Sequence, residues 1–232
     1  MQNATFTSLA TAIPNDGDST VLQDVRDNEI YQITKINGAY WMTQNLRYVG
    51  DIGSASGSMT IKSATTNVSA DKTLTYYSLD SSDSSYTNHC DSSNGYTYPC
   101  AKAGKDDNNN DTVWYNYAAA SAGTITGSSN STYATQDICP KGWKLPVYGS
   151  STKEAGSIRS ITSYTTAFSP VYGGYYNDDG SLGNASTGGY WWSATASDNT
   201  GGRYRLNYYS GSLSTANDYR RNGRYVRCVR SA

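Results

Sequence analysis

Histidine occurs once in this 232-residue chain, as His89, and the four cysteines form no Cys-x-x-Cys pair. A zinc site therefore lacks ligands in workable spacing. Charge of either sign is scarce: 16% of residues are charged, with 18 Lys and Arg against 19 Asp and Glu. No whole-molecule field recruits nucleic acid or a membrane surface. No apolar run approaches the roughly 20 residues of a membrane helix. The start, MQNATFTSLA, lacks the basic and apolar regions of a signal peptide. We expect an export signal or anchor to have been removed, so that membrane contact would run only through that missing anchor.

What the chain has in excess is Tyr and Gly, 22 of each, with heavy use of Ser, Thr and Asn. These residues favour strands, turns and irregular loops over helices. Five Trp are spread along the sequence and require burial, which argues against a disordered chain. The length suits one β-rich domain. Four cysteines allow three disulfide connectivities. We expect Cys90 with Cys100, closing a short loop, and Cys139 with Cys228, tying a distant segment to the C-terminal region; oxidised cysteines place the protein outside the cytoplasm, extracellular or at the cell surface.

Residues 1–23 read as a polar N-terminal arm, and 24–232 as the domain. Ile30 to Met42, around Asn37-Gly38, has the pattern of a β-hairpin. Gly50 to about Asn110 reads as an elaborated loop region with short strand-like pieces at Met59–Lys62 and Leu74–Leu79. Within it, KDDNNND (Lys105 to Asp111) carries alternating Asp and Asn but lacks the glycine and closing glutamate of an EF-hand loop, so we read a solvated turn. Val113 to Gly123 reads as a strand entering a short Ala-rich helical turn. Ser151 or Thr152 is the expected N-cap of a helix with Glu154 near its first turn and Ile158 and Ile161 on one face. Tyr164 to Gly189 is expected to be loop, and GYWWSAT from Gly189 opens the last strands.

Five separated motifs, IYQITKINGAYWMTQNLRY, WYNYAAA, ICPKGWKLP, YWWSAT and GRYVRCVR, together resemble the domain first described as the major paralogous family of Fibrobacter succinogenes. That resemblance spans about Asp24 to Arg230. It implies an α+β, C-type lectin-like fold with short twisted antiparallel sheets, few short helices and long irregular loops, related to the fold of the formylglycine-generating enzyme. The C-terminal part, about 190–230, is also similar to the variable region of proteins diversified by retroelements. In those, template adenines are randomised, and Asn (AAY) codons cannot become Lys, Glu, Gln, Met or Trp. Thr195 to Arg230 contains none of these five, and the last 78 residues hold no Lys, Glu, Gln or Met where the first 154 hold 18.

Alternation of side chains along a strand puts Tyr204, Leu206 and Tyr208 on one face and Arg205, Asn207 and Tyr209 on the other. Leu206 should face the core, with Leu213 as the inward anchor of the next segment. In the closing strand the same parity points Val226 and Cys228 inward and Tyr225 and Arg227 outward. The outward positions form the expected ligand-binding, variable set: Asp198, Asn199, Thr200, Arg205, Asn207, Tyr209, Gly211, Ser212, Ser214, Ala216, Asn217, Asp218, Tyr219, Arg221, Asn222 and Tyr225. Tyr with Ser, Gly and Asn is the chemistry of a paratope. Tyr209, Tyr219, Arg205 and Arg221 are the expected hot spots.

The resulting expectation is a non-catalytic, receptor- or adhesin-like protein with no cofactor and no metal. Its partner would be a protein or glycan on another cell or phage. An enzyme similar to the formylglycine-generating one would need paired redox cysteines with an activating neighbour, and none is evident. A calcium-dependent lectin would need the Glu-Pro-Asn or Gln-Pro-Asp and Trp-Asn-Asp motifs, which are missing. The Arg and Tyr of the last thirty residues could form a nucleic-acid patch, but several of these Arg sit in framework motifs, and no nucleic-acid partner is expected.

Overall fold

The Asn37-Gly38 signal folds as a hairpin in the computed structural model, which describes residues 6–50, 55–123, 134–148, 154–158, 162–196 and 202–231. Strands β2 (Ile30–Ile36) and β3 (Ala39–Met42) pair antiparallel. Asn37 and Gly38 between them have φ of 52° and 76°, the left-handed pair of a type I′ turn whose twist matches its strands. On one side β1 (Ser19–Gln23) pairs with β2; on the other β15 (Val229–Arg230) pairs with β3, giving the order β1-β2-β3-β15. The end of the chain thus returns to its beginning.

Residues 1–23 are not simply a polar arm. Helix α1 (Phe6–Ala12) and β1 lie here, and Leu9 and Ile13 are buried in the core. The polar composition concealed two apolar side chains four residues apart, which is enough to dock one helical face.

The expected strand-like pieces at Met59–Lys62 and Leu74–Leu79 and the strand from Val113 belong, with one strand not foreseen, to a four-stranded sheet of order β4-β6-β7-β8: β4 (Ser56–Ile61), β6 (Lys72–Ser78), β7 (Cys100–Lys105) and β8 (Asp111–Tyr115). Met59 and Ile61 alternate with exposed Ser and Thr, so only one face of β4 carries a hydrophobic signal. Between β4 and β6, β5 (Thr66–Asn67) pairs with β9 (Asp137–Pro140). Short helices α2 (Tyr86–His89) and α3 (Tyr117–Ala120) flank β7 and β8, the latter where the Ala-rich turn was expected. The expected later helix appears as α4 (Ala155–Ile158), followed by α5 (Thr162–Phe168); Ser151, Thr152 and Ile161 lie outside the described residues.

A five-stranded sheet, order β11-β10-β12-β13-β14, completes the fold: β10 (Gly173–Tyr176), β11 (Leu182–Ala185), β12 (Gly188–Ala196), β13 (Gly202–Tyr209) and β14 (Ser212–Tyr219). The stretch Tyr164 to Gly189 therefore holds a helix and two strands rather than loop alone. The architecture is mixed α+β and mostly sheet.

All five Trp are buried, in two clusters. One gathers Tyr31, Met42, Tyr76, Trp143 and Trp192; the other gathers Trp41, Trp114, Trp191, Leu206 and Tyr225. The two expected disulfides, Cys90–Cys100 and Cys139–Cys228, are both present.

Candidate ligand-binding face

Strands β13 and β14 form a hairpin at the edge of the five-stranded sheet, in register from Gly202↔Tyr219 to Tyr209↔Ser212. Its turn, Ser210-Gly211, has φ of 50° and 80°, again a type I′ geometry. Gly211 is exposed, but that backbone favours glycine, so it serves the turn more than it offers a site for change.

Residues opposite one another in an antiparallel pair share a face. Trp191, Leu206, Thr215, Tyr208 and Leu213 thus share one face, and Leu206, Leu213 and Trp191 belong to the core beneath it. The expectation that Leu206 and Leu213 anchor the hairpin inward is met. Tyr208 is half-buried, its ring 5.0 Å from Tyr172, and its hydroxyl pKa is raised, first by a hydrogen bond to Tyr172 and then by desolvation.

The opposite face bears Asn207, Tyr209, Ser212, Ser214, Ala216 and Asp218 beside Tyr190 of β12. Tyr209 is 52% exposed, and Ser212 and Ser214 are exposed. Asn217 and Tyr219 (51% exposed) emerge where the other face runs out beyond the core at the strand's end. Ala216 is half-buried. Asp198, Asn199 and Thr200 lie outside the described residues, as does the side chain of Arg205, whose backbone pairs with Trp192 and Ala216.

Four nominated residues are corrected. Tyr225 is completely buried, Asn222 is 5% exposed, Asn207 is 9% exposed and the Asp218 side chain is 6% exposed. Arg227, also expected to point outward, is buried. After Tyr219 the chain leaves the edge hairpin and re-enters the molecule between the sheets. Residues 223–229 make isolated bridges to Tyr176, Tyr115, Trp191 and Lys144, so both sides of the segment meet protein. Parity separates core from solvent only where one face of a strand is open.

These buried polar groups instead build an anchored platform beside the exposed ones. The Arg224 guanidinium lies 3.9 Å from the centroid of the Tyr175 ring and 5.5 Å from that of Tyr190. Its Nε donates to Asp218 Oδ2 at 2.6 Å, while Asn222 Nδ2 donates to Asp218 Oδ1 at 2.8 Å. Asn184 Nδ2 donates to the Tyr190 hydroxyl at 2.6 Å.

Arg221 stands at the border of this face. Its guanidinium is 4.3 Å from the Tyr219 ring centroid and 5.0 Å from that of Tyr96, its Nε is 2.7 Å from Asp178 Oδ2, and its Nη1 donates to the Tyr96 hydroxyl. Sequence reasoning missed Tyr96. It sits in the loop stapled by Cys90–Cys100, and buried Asn116 organises that loop: its Oδ1 accepts from Cys100 N at 2.9 Å, and its Nδ2 donates to the carbonyls of Gly95 and Tyr98, both at 2.8 Å. A side chain at Gly95 would strike the Cys90 carbonyl at 2.6 Å and Arg221 Cβ at 2.9 Å. Nearby, His89 stacks on Tyr77 at 3.6 Å and meets the edge of the exposed Tyr98 at 4.9 Å. An aromatic and cationic border formed by Tyr98, Tyr96, Arg221 and Tyr219 thus joins two segments more than 120 residues apart.

Neither disulfide offers an accessible redox pair: all four cysteines are fully buried, and none is free. Compared with known proteins, the chain matches no family model, no curated protein and no solved structure.

Proposed function

We propose that this chain is a non-catalytic ligand-binding protein with a C-type lectin-like fold, of the kind diversified by a retroelement, and that its binding face is the outer side and open end of the β13–β14 hairpin. The observation that carries this reading is the contrast between two sets of side chains on one hairpin. Leu206 and Leu213 are locked into the core, whereas Tyr209, Ser212 and Ser214 on the outer side, and Asn217 and Tyr219 at the open end, are exposed. Exposed Tyr offers large amphipathic contact area with few rotatable bonds, and Ser and Asn adapt their hydrogen bonding. A platform fixed before contact lowers the ordering cost of binding. The ligand is a protein or glycan of another cell or phage, met outside the cytoplasm, where the two disulfides persist.

The test needs no knowledge of the ligand. Sequencing the coding locus across many cells is expected to find substitutions concentrated at the codons for Tyr209, Ser212, Ser214, Asn217 and Tyr219, with Leu206, Leu213, Asp218, Asn222 and Tyr225 constant. Variation spread evenly over both sets, or absent from the first, overturns the reading.

A stability measurement accompanies it. Tyr209→Ala and Tyr219→Ala should each change the unfolding free energy by less than about 1 kcal/mol, the Tyr219 effect coming mainly from its stacking with Arg221. Larger losses in denaturant titration would make these tyrosines structural.

A further inference from the structure

On the other side of the buried closing segment lies a polar cavity of about 150 Å³, bordered by the 105–111 turn, the residues just after β3, and Arg227. That volume corresponds to about five waters, below the range of drug-sized ligand sites. It takes in part of the Asp/Asn run, whose Asp106 carboxylate caps the turn.

The charges around it are paired with two exceptions. Arg47 is held by Glu29 at 2.6 Å, and Asp111 by Lys105 at 2.6 Å. Arg227 is fully buried, and among the described residues no carboxylate forms an ion pair with it. Its Nε donates to Asn45 Oδ1 at 3.0 Å, its Nη1 to the Phe168 carbonyl and its Nη2 to the Ser169 carbonyl at 3.0 Å. A guanidinium has five N–H donors, so two remain. Burial lowers its pKa to about 9, which still leaves it charged at neutral pH. The Phe168 and Trp191 rings, 4.4 and 5.0 Å from the guanidinium, share in holding that charge, but a directly paired carboxylate would stabilise it further.

Asp106 is the second exception. Its Oδ1 accepts from the backbone N–H groups of Asn108 and Asn110, both at 2.9 Å, and its Oδ2 receives only Asn110 Nδ2 at 3.3 Å. No ion pair joins it to Arg227. The cavity wall therefore presents a guanidinium and a carboxylate that form no ion pair with each other, although the Asp106 charge already favours the charged form of Arg227 through space.

We propose that this cavity binds a small zwitterion, a molecule of α-amino-acid size whose carboxylate meets Arg227 and whose ammonium meets Asp106. A bare metal cation would face the Arg227 guanidinium, and a simple anion would face Asp106. A zwitterion satisfies both. This site is separate from the hairpin's exposed face and does not depend on the function assigned there.

A reporter is built in: the Trp191 indole N–H donates at 2.8 Å to the same Asn45 Oδ1 that accepts from Arg227. The experiment titrates the intact, disulfide-bonded protein with glycine, acetate, methylammonium or calcium while following the Trp191 indole resonance by NMR. Glycine should produce a saturable shift, and acetate and methylammonium should bind at least about tenfold more weakly, because each leaves one charged partner unmet. Asp106→Asn keeps the oxygen that caps the turn but removes the charge, and should bring glycine down to the level of acetate. No saturable shift with glycine, equal binding of glycine and acetate, preference for calcium, or full glycine affinity in D106N would each overturn the proposal. The probe comparison on the unmutated protein decides the matter even if D106N fails to fold.

Discussion

Replacing Asp218 by Ala is expected to lower the unfolding free energy by about 3–5 kcal/mol, although the residue lies on an edge strand among exposed neighbours. Its carboxylate and the Arg224 guanidinium are 6% and 1% exposed and in direct contact. Arg224 also donates to the Gly223 carbonyl at 2.9 Å and to the Tyr176 carbonyl at 3.3 Å, but neutral carbonyls do not replace a counter-charge. D218A would strand the guanidinium between Tyr175 and the hairpin and free Asn222 Nδ2 of its acceptor as well. Asp218→Asn, which keeps an acceptor but not the charge, should fall between D218A and the unmutated protein. Ser214→Ala, on the same face of the same strand, should change stability by less than about 0.5 kcal/mol. Chemical denaturation of the three variants measures this. A D218A protein within about 0.5 kcal/mol of the parent would show that Arg224 finds its compensation elsewhere, and Asp218 would return to the displayed set.

The same contrast explains how far the sequence could be read. The Asn37-Gly38 hairpin, both disulfides, the Ala-rich helical turn and the inward anchors Leu206 and Leu213 follow from local rules: a turn dipeptide, a count of cysteines, an alternation of two. Alternation failed from Asn222 to Val229 because the rule presupposes one wet face, and this segment is packed on both sides. Arg224 and Arg227 have the composition of surface residues, and only the fold reveals that aromatic rings, carbonyls and one carboxylate enclose them. That the strand-like pieces of β4, β6 and β8 join β7 in one sheet was hard to see for the opposite reason. Its Ser- and Thr-rich strands β4 and β6 bury alternate side chains over only part of their length, and Gly104 exists in β7 because a side chain there would meet the Trp114 ring at 2.8 Å. Tyr96 could not be found from local signals, since the loop that carries it meets Arg221, 125 residues away, only in the folded chain.

The second large effect concerns Cys139–Cys228. Replacing both cysteines by Ser should cost about 4–5 kcal/mol, against about 2.5–3 kcal/mol for Cys90 and Cys100, because the bridges close loops of 89 and 10 residues and the entropy removed from the unfolded chain grows with loop length. The larger figure falls on the bridge that matters most for the hairpin. Cys228 lies in the closing segment, one residue from Arg227 and four from Arg224, and that segment also contributes Tyr225 beneath Trp191 and Leu206. Without the bridge, the segment that carries the platform keeps β15, the isolated strand bridges and its side-chain contacts, but loses its one covalent tie to β9. Equilibrium denaturation of the two double-Ser proteins gives the comparison, and amide exchange at residues 222–229 locates the consequence: protection there should fall in C139S/C228S and persist in C90S/C100S. Equal losses of stability with unchanged protection would mean that the closing segment is held by packing, with the long bridge adding little.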